Sequence, residues 1–148
     1  MFFDADFKAK KLDWKKFEND VADIFNKFDY TVEQDLHLNK PKRFQIDLIA
    51  YDSGKCFVVD CKDHSYISPK KEEDFIKSQV SRANALIAKR SVLGQRKIFV
   101  LLITRNRSSS LLKYNSFGGK IYGVDIQSLP ELLRNIDIYE DSLLFIGP

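Results

Sequence analysis

Lys97–Thr104 reads K-I-F-V-L-L-I-T, six apolar residues in a row between a lysine and a threonine. The run is strand-sized, and it lacks the polar alternation of a strand with one wet face. It therefore describes a central strand covered on both sides. A helical pattern precedes it, so parallel pairing is expected. A sheet buried on both faces needs helices on both faces, which makes this an α/β sandwich. With 148 residues, 44% of them apolar, the chain is long enough for a real core and is most simply one domain, 1–148.

The other elements follow in order. Trp14, Phe17, Val21, Ile24, Phe25 and Phe28 recur at three- and four-residue steps, giving an amphipathic helix with Asp13 as its N-cap. Residues 1–11 show little periodicity. Tyr30–Leu38, Phe44–Tyr51 and Lys55–Lys62 read as three strands of an antiparallel meander, the last two joined by a turn at Asp52-Ser53-Gly54-Lys55. Tyr66–Lys71 reads as a loop and Glu72 to about Arg90 as a helix, with Ile76, Val80, Ala83 and Ile87 in one stripe. Gln79 falls inside that stripe. After the central strand come a polar loop (Arg105–Leu112), a strand (Lys120–Ile126), a short helix capped by Ser128, and an edge strand (Leu143–Ile146). The expectation is an αβββαβ core, about residues 13–104, with a C-terminal β-α-β extension: a mixed sheet flanked by helices.

Several classes are disfavoured. Asp4 and Asp6 follow Met1-Phe2-Phe3 too closely for a secretory signal, and no run nears the ~18 apolar residues of a membrane span. Cys56 and Cys61 lie five apart on one strand, hence on opposite faces, and cannot bridge each other. A reduced, cytoplasmic protein is expected. The net charge of +3 does not by itself demand a polyanionic partner.

The chemistry concentrates between Arg43 and His64. Asp47, Asp60 and Lys62 are charged residues in otherwise apolar strands, and a carboxylate there is costly unless something compensates it. D-x-K occurs three times, but only Asp60-Cys61-Lys62 ends an apolar strand. Residues two apart on a strand share a face about 6.5–7 Å apart. Asp60 and Lys62 therefore point one way and Cys61 the other. Asp47, on the preceding strand, can lie opposite or diagonal to Asp60. Two close carboxylates repel unless a divalent cation joins them, and an oxygen-only set suits Mg²⁺ or Mn²⁺. Glu18, at about 40° from Trp14 on the helical wheel, sits at the margin of the buried face and can complete the site by binding a second metal or a metal-bound water. The plainer alternatives are a strand-end salt bridge for Asp60 and Lys62, a solvent-facing Asp47, a surface Glu18 and a core-margin Gln79.

Glu on a first helix, Asp on a second strand and D-x-K on a third resemble the PD-(D/E)xK nuclease superfamily. Within it, the layout is similar to archaeal Holliday-junction resolvases and Mrr-type restriction endonuclease domains. The resemblance implies a restriction-endonuclease-like fold and metal binding by Asp47, Asp60 and the Cys61 carbonyl, with Glu18 as an accessory acid. It further implies Lys62 as the catalytic lysine and Gln79 as a site residue on the next helix; Ile46 stands where the motif's nominal proline would be. The expected activity is Mg²⁺-dependent hydrolysis of duplex or branched DNA by a homodimer. A catalytically inactive binding or assembly module is the alternative; a metal-independent RNA endonuclease would want a Tyr/His/Lys set, and the metal-ligand arrangement argues against it. His64 continues the Asp60–Lys62 face. Lys8, Lys10, Lys11, Lys15, Lys16, Lys40, Lys42, Arg43, Lys70, Lys71, Arg105 and Arg107 are the cations available to a phosphate backbone.

Overall fold

The computed structural model describes residues 2–39, 43–62, 69–105, 111–116, 119–139 and 145–146, and the side chains of a narrower set that omits residues 2–12 and Lys62. Its elements are α1 (Phe2–Lys27), β1 (Thr31–Leu38), β2 (Phe44–Tyr51), β3 (Lys55–Lys62), α2 (Pro69–Lys89), β4 (Lys97–Thr104), β5 (Leu111–Ser116), β6 (Gly119–Asp125), α3 (Leu129–Arg134), α4 (Ile136–Tyr139) and β7 (Phe145–Ile146). One mixed sheet runs β1-β2-β3-β4-β6-β5, with β7 added on β4. The β1-β2-β3 meander is antiparallel. β4 pairs parallel with both β3 and β6. Every residue of β4 after Lys97 is buried, as its unbroken apolar run requires. The mixed α/β sandwich expected from the sequence is the observed fold.

Two cores sandwich the sheet. Phe17, Val21 and Phe25 of α1, with Leu129, Leu132 and Ile136 of α3 and α4, cover one face through Leu48, Phe57, Val59, Cys61, Leu101 and Ile103. Ala83, Ala85 and Leu86 of α2 cover the other through Ile49, Cys56, Val58, Ile98, Val100 and Leu102. Phe57 is the hub of the first core. It stacks on Phe99 (5.5 Å between centroids) and meets Phe25 and Tyr30 at 5.5 and 5.3 Å. Burying such a ring contributes about 1.5–3 kcal/mol. Cys56 and Cys61 face opposite cores and are not bridged to each other. Burial pushes the Cys56 thiol up to about 12, so it is inert at neutral pH.

α1 ends in a Schellman motif. Asp29 has φ 68°, its N–H reaches the Asn26 carbonyl at 3.0 Å, and the Tyr30 N–H reaches that of Phe25 at 3.2 Å. The Phe25 and Tyr30 rings, 5.9 Å apart, supply the motif's apolar contact. The β2–β3 turn is held by Asp52, whose Oδ1 accepts the N–H groups of Gly54 (2.9 Å) and Lys55 (2.7 Å).

Four boundaries differ from expectation. α1 starts at Phe2, so Asp13 is interior and caps nothing; the lysines, alanine and leucine before it are good helix formers that outweigh the missing periodicity. Pro69 opens the first turn of α2, three residues before the expected start, where its lack of an N–H costs nothing. β5 occupies residues partly read as polar loop. Ser128 makes no side-chain cap; Asp125 Oδ1 instead accepts the Ser128 N–H at 2.8 Å. The edge strand expected over Leu143–Ile146 is described at Phe145–Ile146, where β7 pairs antiparallel with β4.

Candidate functional site

The β1–β2 pair changes faces partway along. On β1, Val32 packs in the α1-side core, yet Leu36 and Leu38 pack in the α2-side core, although all three are even-numbered. On β2, Phe44 and Ile46 lie on the α2 side, whereas Leu48 and Ala50 lie on the α1 side. The reversal falls at Asp35 on β1 and Asp47 on β2. These two would be partners in an otherwise continuous register, and their pair is missing from it. Asp35 has φ 55°, a left-handed conformation that aspartate tolerates better than most residues, and this turns the strand over.

The β2–β3 ladder stops at Leu48↔Val59. One step further, Asp47 and Asp60 would be opposite, but there the strands part. β3 continues along β4 as far as Lys62↔Thr104, while β2 turns away with β1. Asp47 bridges the gap: its Oδ2 accepts the Cys61 N–H at 2.9 Å. Its carboxylate thus rests on the Asp60–Cys61 peptide. Asp60 alternates with Val59 and Cys61, which face α1, so it lies on the α2 face, 7% exposed.

Glu18 approaches from the other side. It is half-buried on α1, and its carboxyl is raised above the usual range by burial first and then by the negative charges of Asp47 and Asp35, against Lys15. Asp47 is therefore the link between the two layers, with Glu18 on the α1 side and Asp60 on the α2 side. Among the described residues, no three His, Cys, Asp or Glu side chains lie close enough together to hold a metal ion. Where β2 and β3 part, Asp47, Asp60 and the Cys61 carbonyl offer two carboxylates and one main-chain oxygen. That set suits a hard cation that takes one or two protein carboxylates and keeps its waters.

Gln79, 2% exposed on α2, accepts a hydrogen bond from Arg82 Nη1 at 2.9 Å. Lys62 is register partner to Thr104 at the end of β3, and its side chain lies outside the described residues. His64 also lies outside them, as do Lys40, Lys42 and Arg107 and the side chains of Lys8, Lys10, Lys11, Lys70 and Lys71. Lys15, Lys16 and Arg43 are exposed. Arg105 is not a free cation for a backbone phosphate. It pairs with Asp13, and its guanidinium lies 5.1 Å from the Phe17 ring centre, tying β4 to α1. Asp13, expected to cap a helix, serves this pair instead.

Sequence reasoning missed Asp35, Arg82 and Thr104. Only Arg82 carried a signal, three residues after Gln79 on the same helix, a spacing at which side chains meet. Away from the site, Glu33 is held by Arg90 and Tyr51, each at 2.8 Å. Burial raises its carboxyl, but these bonds outweigh burial and leave it below the usual range. Among the described residues no helix is long and apolar enough to cross a membrane.

No curated protein matches the chain. Among solved structures it is similar to a crystal structure described as "Protein of Unknown Function AF1548", 15% identical with a TM-score of 0.45. That alignment covers 60% of this chain and 45% of the other, so this chain spans under half of that protein's length. The family model of the nuclease-related domain, NERD, matches residues 13–103, from the first described side chains of α1 to the end of β4. The chain therefore belongs to the nuclease-related domain family, part of the PD-(D/E)xK-like nuclease superfamily.

Proposed function

We propose that this chain is a metal-dependent endonuclease that hydrolyses DNA phosphodiester bonds at the parting of β2 and β3. The observation that carries this is the Asp47 carboxylate resting on the Asp60–Cys61 peptide. It gathers two acids and a main-chain carbonyl at the C-terminal end of a strand that pairs parallel with β4, where α/β sheets commonly place ligands. Asp47, Asp60 and the Cys61 carbonyl would hold Mg²⁺ or Mn²⁺. When bound, the ion supplies charge neutralisation at the phosphate and acidifies a water. Lys62 stabilises charge developing on the phosphate oxygens. Glu18, whose carboxyl is raised by burial first and then by the charge of Asp47, serves as an accessory acid from the α1 side. Gln79 contributes a neutral donor from α2. Exposed Lys15, Lys16 and Arg43 contact backbone phosphates.

The substrate is duplex or branched DNA, with resolvase-like action on a four-way junction by a twofold dimer as the finer reading. A cleavage panel of four-way junction, flap, single-stranded and duplex DNA, with Mg²⁺ or with EDTA, tests this. Metal-dependent cleavage of any member is expected, and no cleavage of any member overturns the reading.

The second reading is a nuclease fold that binds DNA or a partner without turnover. The lack of a three-acid cluster among the described residues favours it. Titration with Mg²⁺ or Mn²⁺ separates the two, because this reading expects no binding.

A further inference from the structure

Gln79 has a defined amide orientation. A guanidinium only donates, so the atom facing Arg82 Nη1 at 2.9 Å is Oε1, and the amide N–H₂ points elsewhere. That nitrogen is buried and has no hydrogen-bond partner among the described residues; the same holds for Arg82 Nε and Thr104 Oγ1. Native structures rarely leave buried donors unmatched, and those that remain ask for a functional explanation.

The level of Gln79 along the sheet follows from the fold. α2 runs back from the strand ends, and Arg90 just beyond it lies 5.8 Å from the ring centre of Tyr51, the partner of Cys56. From Arg90 back to Gln79 the helix rises about 16 Å. That equals about five residues of strand. That carries Gln79 toward the C-terminal ends of β3 and β4, where Asp60 pairs with Leu102 and Lys62 with Thr104. Thr104 shares the α2 face, since Ile103 packs on the other. The unused donors therefore sit beneath α2 at the end of β3.

We propose that Arg82 is a positioning residue of the nuclease site: its bond to Gln79 Oε1 locks the amide so that only N–H donors face the strand ends, where a phosphate oxygen of the nucleic acid is the acceptor. Without Arg82 the amide can flip and present its oxygen, which repels phosphate. The proposal rests on the nuclease reading and extends it to a residue outside the acidic set.

The test is a double-mutant cycle in Mg²⁺, using whichever DNA of the panel the wild type cleaves. Arg82→Met is expected to lower kcat/KM roughly tenfold to a hundredfold, the size of one charge-assisted hydrogen bond. Arg82→Lys, which still donates to Oε1, retains most of the activity. Gln79→Met/Arg82→Met is no slower than Gln79→Met, because Arg82 acts only through the amide. Gln79→Glu keeps an acceptor for Arg82 while removing the donor; it melts at or above wild type and loses as much activity as Gln79→Met. That variant carries the test should Arg82→Met fail to fold. Wild-type activity in Arg82→Met or Gln79→Glu, or additive losses in the double variant, overturns the assignment while leaving the nuclease reading intact. An inert wild type overturns that reading, and this one with it.

Discussion

Asp47 Oδ2 accepts the main-chain N–H of Cys61 at 2.9 Å, at the point where β2 and β3 cease to pair. The carboxylate substitutes for the carbonyl that an unbroken ladder would have offered, so it has a structural task besides any catalytic one. The two tasks can be separated. Asp47→Asn keeps an acceptor and is expected to melt near the wild type while cleavage falls at least about a hundredfold. Asp47→Ala strands the buried N–H and is expected to cost about 1–3 kcal/mol of stability as well. Denaturant melts beside cleavage assays check both.

Asp60 is expected to matter most through metal affinity. Mg²⁺ at ten times its Kd should stabilise the wild type by about 1.4 kcal/mol. Asp60→Asn is expected to lose that gain and the cleavage together, while its metal-free melt persists. A thermal melt with and without Mg²⁺ measures this, and an unchanged metal response in the variant counts against Asp60 as a ligand.

Glu18 provides a pH test. Its carboxyl is raised in the folded chain, by burial first and then by Asp47, so the folded state binds more protons than the unfolded one just above pH 4.5. Stability therefore falls as pH rises through that window. Glu18→Gln is expected to be more stable than wild type at pH 7, with the gain vanishing below about pH 4.5, where both states are protonated. Melts from pH 3.5 to 7.5 would show the two curves converging on the acid side.

Glu33 predicts the opposite slope. Although burial raises its carboxyl, the Arg90 and Tyr51 hydrogen bonds prevail and hold it below 4.5, so its stabilisation is present above that pH and lost as pH falls through the folded value. Glu33→Gln should destabilise at pH 7 and cost less as the solution is acidified. The pair is about a third exposed on each side, so a modest effect of up to about 1 kcal/mol is expected.

Phe57→Ala tests the core. The ring is fully buried among Phe25, Tyr30 and Phe99, so truncation leaves a cavity and should cost about 3–5 kcal/mol. Urea denaturation gives the value directly.

Much of this was legible from one dimension. β2, β3 and β4 lie where turn residues and apolar runs place them, because in these strands local preference and burial agree. The N-terminal half of α1 was not, since propensity without periodicity leaves no stripe to read. The site was legible in its residue types and less so in its depth. Alternation along a strand assumes a constant face, and Asp35 breaks that assumption through one backbone torsion. Arg82 and Thr104 escaped notice because each is ordinary until it is found buried with an atom that touches nothing polar.

The reversal at Asp35 and Asp47 also limits how this hairpin can vary. Inserting or deleting one residue of β2 before Asp47 would turn Phe44 and Ile46 to the face where exposed Gln45 lies, and after Asp47 it would exchange Leu48 and Ala50 with Ile49 between the two cores. Two residues would restore the pattern. Length changes inside the strand are thus confined to even steps, while the β2–β3 turn is free of that parity. The acid at the crossing point is held in frame by two cores at once.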